Sequence, residues 1–410
     1  MTPLLLLRRR YRFVASPFPD GCYFATAVSR HADMGNDDMN MNRLMTGAGL
    51  GLALLAAAPL SAQKAEIVSG PLKLGFTGRL QFQFNTTSVD AQEAGTDVEP
   101  AANTFETRRI RAAVELTLAD WIGGMIETDV AMGRLQVRQA WIDLGFSDAF
   151  ALKAGQYKKP FSLIQLTSSS KIPMIERNVR IRDLADAIET ADADGVLSKF
   201  HGAALLGEEQ LLLETLGYDS YDMGASLHGK IGSFGYEAGL FNGTGSDKAD
   251  ENGVKSFASR VTYRLPTTTY LTVGAEASVR DYLVGPETKK GTALGADLEW
   301  GEYKKPGVWL MAEGTMGDNL VGGDFRAAQA VATYYIPTNG RVEGVAPVFR
   351  VSWGDPDQDV ADDAGLLLTP GLNLHFLTRN QLMFNWDWYL PQGDAFSKQH
   401  AFRAQVQLYY

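Results

Sequence analysis

The chain has 410 residues, 45% apolar and 21% charged, with 42 Gly against 16 Pro and with 20 Phe, 15 Tyr and 7 Trp. So many rings exclude a disordered chain, and so much glycine speaks against a helical bundle and for β-structure. A formal charge of −10 leaves no overall basic field to draw in nucleic acid, and the lone Cys22 allows neither an internal disulfide nor dithiol chemistry.

Residues 1–38 carry Arg8-Arg9-Arg10 and no periodic apolar pattern. They are expected to be an unstructured upstream extension, because Met39 or Met41 opens a complete export signal. Residues 39–62 read MNMNRLMTGAGLGLALLAAAPLSA: a short polar start with Arg43, an uncharged apolar run from Leu44 to Leu60, a helix-breaking Pro59 and small residues at the end. This is the shape of a signal peptide cut after Ala62. A membrane anchor is the weaker reading, since 17 residues sit at the lower limit for a spanning helix and no basic flank follows. Residues 63–410 then form one domain.

Along that domain the dominant signal is period two. From Leu72 to Phe84 the even positions Leu72, Leu74, Phe76, Leu80, Phe82 and Phe84 are apolar, while Lys73, Thr77, Arg79, Gln81 and Gln83 lie between them. In the next segment, 105–118, Ile110, Ala112, Val114, Leu116 and Leu118 oppose Arg109, Arg111, Glu115 and Thr117. Such alternation places one apolar and one polar face on a strand. Similar segments follow at 122–130, 137–144, 150–157, 224–230, 234–241, 257–265, 270–279, 292–302, 308–316, 328–336, 347–353, 365–377, 381–389 and 401–410, which makes 16 strands in all. Helical periodicity interrupts them only near Leu205 to Leu216.

The connections sort by length. Those at 119–120, 147–148, 231–232, 266 and 378–379 are short. Those at 86–104, 158–223, 242–256, 280–291, 355–364 and 391–400 are long and rich in Asp, Gly and Pro. Short turns at one end and long loops at the other describe an antiparallel up-and-down transmembrane barrel. Its inward face carries Arg, Glu and Asp, which a dry core would not accept unpaired and a water-filled lumen does. The last strand alternates Phe402, Ala404, Val406, Leu408 and Tyr410 against Arg403, Gln405 and Gln407, ending on an aromatic residue as outer-membrane barrels do. Trp121, Tyr263, Tyr270, Trp300, Trp353 and the run 386–389 are candidates for the interfacial girdles.

The segment GQYKKPFSLIQLTSSSKIPMIERN, residues 155–178, resembles the phosphate-selective porin O and P family, as does FETRRIRAAVEL at 105–116. GRLQ at 78–81, GLFNGTG at 239–245 with KSFASR at 255–260, and GLNLHF at 371–376 agree in order. The resemblance implies a 16-stranded trimeric porin of a Gram-negative outer membrane, whose third long loop folds into the lumen and narrows a path for anions such as phosphate or polyphosphate. The stretch between Arg177 and Gly224 is longer than the family usually shows. Within it, residues 202–218 read as a helix or an extra hairpin; a loop element is the expectation, and a hairpin there would raise the strand number to 18.

An anion path needs cationic groups lining a constriction, close enough to replace hydration yet spread so that the ion can leave. Parity puts Arg79 on the polar face of the first strand and Arg109 and Arg111 on that of the second. Arg108 has the opposite parity, but at the extracellular end of its strand it is expected to be able to turn inward, and it matches the paired arginines of the family; the loop adds Lys158, Lys171, Arg177, Arg180 and Arg182. Asp129 matches a family carboxylate and would accept a proton from a protonated phosphate. The competing reading is that these arginines pair with Glu106, Glu115, Glu127, Asp129 and Glu176 and only neutralise the wall, which suits a general diffusion porin. A plugged structural or adhesive barrel is the third reading. No cofactor is implied. The scattered His31, His201, His228, His375 and His400 form no metal or nucleophile motif, so an enzyme is disfavoured.

Overall fold

The alternation is realised as strands throughout a computed structural model that describes residues 65–89, 101–131, 135–178 and 209–410, apart from 247, 249, 251–252, 267–269, 285–286, 321, 378 and 393–397. The expected export signal, the upstream extension, Arg180 and Arg182 lie outside the described residues. A short β1 (Ala65–Ser69) precedes β2 (Leu72–Val89), β3 (Ala101–Ala119), β4 (Ile122–Asp129), β5 (Gln136–Ser147), β6 (Phe150–Lys158), β7 (Tyr221–Ile231), β8 (Phe234–Phe241) and β9 (Ser256–Arg264). There follow β10 (Leu271–Val284), β11 (Glu287–Trp300), β12 (Gly307–Asp318), β13 (Asp324–Pro337), β14 (Gly344–Asp355), β15 (Gly365–Phe376), β16 (Asn380–Pro391) and β17 (Gln399–Tyr409). From β2 onward each strand pairs antiparallel with the next, and β17 returns to β2, closing a 16-stranded barrel. Closure leaves no row of unpaired backbone groups, which a hydrocarbon environment would not tolerate.

The seam shows why a seventeenth strand exists. The register of β17 on β2 ends at Tyr409 opposite Arg79, and Gly78 and Tyr410 exchange backbone bonds of 2.8 and 3.1 Å. The edge of β2 beyond that point is covered by β1, with Ala65 opposite Phe76 and Ser69 opposite Leu72. A Cβ at Gly78 would clash with Cζ of Tyr410, so any larger residue here would displace that ring.

The outward face carries exposed apolar side chains such as Ile126, Ile142, Leu240, Leu294 and Phe349. Inward positions are buried and mostly polar, as in Arg79, Gln81, Gln83 and Asn85 along β2. One expected long loop is corrected. Residues 280–291 extend β10 to Val284 and start β11 at Glu287, with Asp281 opposite Lys290. Their Asp, Gly and Pro content suggested a loop, but the backbones of 280–284 and 287–291 stay paired as the two arms of a hairpin.

Two segments fill part of the lumen. The first follows β6 and contains the single helical turn α1 (Leu163–Leu166). Its Leu163, Ile164, Ile172 and Met174 bury against Trp309, Met311, Val331 and Val348 of β12 to β14. The second is α2 (Glu209–Leu216), where sequence left helix or hairpin open. It is a helix, and the barrel has 16 strands rather than 18. Leu212, Leu213, Leu216 and Tyr218 pack on Phe161 of the first segment and on Ala293, Phe325, Leu367 and Tyr389 of the wall. Burying each such leucine stabilises the inserts by about 1.5–3 kcal/mol, so the apolar inward residues of β11 to β16 are a seat for them.

Candidate functional site

The apolar sides of the inserts lie on the wall from β11 to β16, and the first insert, which carries Arg177, meets the cations of β2 and β3 on its other side. A β-bulge organises them. Gln81 of β2 pairs with Arg109 of β3, whereas Phe82 pairs with Thr107, which leaves Arg108 as the extra residue. A bulge shifts parity by one. Phe105 therefore faces out and stacks on Phe82, at 5.8 Å between ring centroids, while Glu106 faces in and accepts from Asn85. It also lets two consecutive arginines face inward, which an unbroken strand would forbid.

Arg108 grips Glu176 of the inserted loop with two bonds, Nε to Oε1 at 2.6 Å and Nη2 to Oε2 at 3.0 Å. Arg109 donates to Gln81 at 2.8 Å and stands 3.5 Å from Glu176. Arg111 pairs with Asp129 at 2.8 Å and with Glu127 at 3.3 Å. Arg79 donates to Ser169 of the loop at 2.8 Å and reaches Glu127 at 3.4 Å, yet its Nε–H is buried with no partner. Lys158 donates to the carbonyls of Gln165 and Thr167, and Arg177 to those of Ile164, at 3.1 Å, and Thr167. These last two cations therefore shape the loop as well as charging it.

Arg79, Arg108, Arg109, Arg111, Lys158 and Arg177 thus share three directly paired or adjoining carboxylates, Glu127, Asp129 and Glu176, and adding Glu106, Glu115 and Glu214 on one side and Arg138 and Arg379 on the other still leaves the cluster a positive excess. Arg79, Arg111, Lys158 and Arg177 lie within one another's electrostatic reach. Burial lowers the Arg177 guanidinium below its ordinary value, with Arg111 acting the same way and Tyr221 opposing. Asp219, between α2 and β7, acts electrostatically on Arg177. Burial, reinforced by Glu214, holds its carboxyl well above the usual carboxylate range.

Beside Arg79 and Arg111 lies a cavity of about 150 Å³ lined also by Glu127, Ser168, Ser170 and Arg379. Arg379, stacked 4.8 Å over the Tyr409 ring, was not singled out by sequence because it sits in a turn. Lys171 stands apart from the cluster, in a cleft with Tyr303, Lys304 and His375. Arg350, Asp387 and Arg403 were also missed. Arg350 is fully buried and donates to the carbonyls of Glu176 and Arg177, at 3.0 and 2.7 Å, and to Asp387 at 3.0 Å, which Arg403 meets at 2.8 Å. All three have inward parity, the signal that could have found them.

The family model described as phosphate-selective porin O and P matches residues 76–299, a span holding every described cation of the cluster and Lys171. Among solved structures, an anion-selective porin from Comamonas acidovorans is similar, with a TM-score of 0.55 and 13% identity over 83% of this chain and 100% of that one. The outer membrane channel DcaP of Acinetobacter baumannii gives 0.56 and 12% over 84% and 100%. The Salmonella typhi OmpF complex with daunomycin gives 0.51 and 11% over 84% and 100%. At these identities the likeness is one of fold. No curated protein matches the chain in sequence.

Proposed function

The chain belongs to the phosphate-selective porin O and P family of outer-membrane channels, and we propose from that premise that it carries small anions, phosphate or polyphosphate above all, past its lumenal arginine cluster. The observation that supports this reading is the set of six cations against three carboxylates, with an unsatisfied Arg79 Nε–H among them. A multiply charged oxyanion can accept from several guanidinium groups at once, whereas chloride accepts without the forked geometry that arginine prefers. The salt bridges of Arg108 and Arg111 favour the second reading, a general diffusion porin. Phosphate added at fixed chloride is expected to depress single-channel current, because an anion that dwells at the cluster obstructs the next. A current that merely follows bulk conductivity at every phosphate concentration supports the diffusion porin instead.

The mature protein is further expected to begin at Gln63 and to assemble as a homotrimer embedded in outer-membrane lipid. Native mass spectrometry of the outer-membrane fraction reads both. A subunit retaining residues 1–62, or a species that is monomeric in mild detergent, would overturn the corresponding expectation.

A further inference from the structure

We propose that Glu313, with Glu276 beside it, is a positioning pair that clasps both lumenal inserts to the wall and so sets the width of the passage; the proposal rests on the channel reading and not on its anion preference. Glu313 projects inward from β12 and is joined to both inserts. It accepts from the Ser162 hydroxyl at 2.9 and 3.2 Å, from the Ile164 amide at 3.2 Å and from the Gln210 side chain at 3.2 Å. Gln210, in the first turn of α2, also donates to the Ser162 hydroxyl at 2.8 Å. From β10, Glu276 accepts the Ser162 amide at 2.8 Å. One serine, one glutamine and two carboxylates thus form a knot where wall, first insert and second insert meet.

The chemistry of the knot suits a clasp. A helix of a single turn has first-turn amides with no partner of its own, and carboxylates meet those of Ser162 and Ile164. Ser162 holds a φ of 63°, a left-handed conformation that a residue with a side chain keeps only when its surroundings enforce it. Glu276, Glu313 and Asp297 form an acidic group whose cation is Arg260, 2.6 Å from Asp297 and 3.7 Å from Glu276. Carboxylates brought together in a buried place need donors, and the inserts supply them. Glu313 also lies two residues along β12 from Met311, on the same face, so the polar knot fixes the register of the apolar seat that receives Ile164.

The test compares single-channel records of the full-length channel in planar bilayers. Glu313→Ala removes the clasp from the wall, and Ser162→Ala removes it from the insert without touching a barrel strand. Asp143→Asn changes an inward carboxylate of β5 that pairs with His228 of β7 at 2.6 Å, away from the knot. Both clasp variants are expected to show increased conductance with rapid fluctuations, and Asp143→Asn the unaltered record. Unaltered conductance and noise in both clasp variants would overturn the proposal, and so would an equal change in all three. If Glu313→Ala fails to assemble, Ser162→Ala decides. The zero-current potential of the unsubstituted channel reports anion preference separately. A barrel without preference refutes the reading of the cluster and leaves this one standing, while a closed barrel that Ser162→Ala opens supports the clasp.

Discussion

Replacement of Arg350 by methionine is expected to lower the stability of the barrel by about 3 kcal/mol, the lower end of what breaking a buried ion pair costs. The side chain is fully buried and serves two structures at once. It ties the wall together through Thr369, at 3.0 and 2.8 Å, and Asp387, and it holds the loop through the carbonyls of Glu176 and Arg177. Arg403 remains beside Asp387, which is why the lower end applies. The two loop carbonyls lose their donor outright, and the adjoining Glu176 carries Arg108 and Arg109. Unfolding in urea from detergent micelles measures the loss. Lysine at the same position restores the charge but not the fork, so Arg350→Lys should recover only part. A methionine variant as stable as the parent would show that the loop is held by its apolar seat alone.

A substitution on the other face tests the inside–outside assignment. Ile126 and Glu127 are neighbours on β4, the first exposed on the outer surface and the second turned in toward Arg79 and Arg111. Ile126→Arg puts a charge against lipid near mid-height of the strand and is expected to cost about 2–4 kcal/mol, seen as loss of the heat-modifiable folded band on electrophoresis. Glu127→Gln, one residue away, should fold normally and raise the positive excess at the cluster. Equal tolerance of both changes would mean that the strand does not face lipid where the alternation places it.

The barrel was largely legible because a strand facing lipid on one side and water on the other writes its own pattern every second residue. The failures have particular causes. An inward Arg108 was allowed for at its strand end, but its cause was not legible, because one inserted residue at a bulge leaves no trace in composition, although it is what turns both Arg108 and Arg109 inward. Residues 280–291 read as a loop because Asp, Gly and Pro were taken as signs of irregular backbone along the whole stretch, when Asp281 and Lys290 are strand partners. Helical spacing was visible near α2, but its place was not, since the seat is built from Phe325, Leu367 and Tyr389, each far along the chain. Arg350 found its carbonyls 173 and 174 residues away, a separation at which no local pattern operates. The carboxylate partners Glu127, Asp129 and Glu176 were foreseen. What sequence could not decide was how many cations would be left over.

The zero-current potential under a KCl gradient, measured before and after Arg79, Arg109 and Arg177 are replaced together by glutamine, tests the anion reading most directly. In the parent channel three carboxylates stand against six cations, and the potential should have the sign of an anion-preferring pore. The variant removes three of the six positive charges, leaving Arg108, Arg111 and Lys158 beside the paired carboxylates Glu127, Asp129 and Glu176, so the potential should fall toward zero. Glutamine keeps a donor for the loop carbonyls that Arg177 serves, and the outward apolar face is untouched, so the barrel should still insert. A variant potential equal to that of the parent would contradict the account, leaving the arginines as partners that neutralise the wall and the channel as a general diffusion porin.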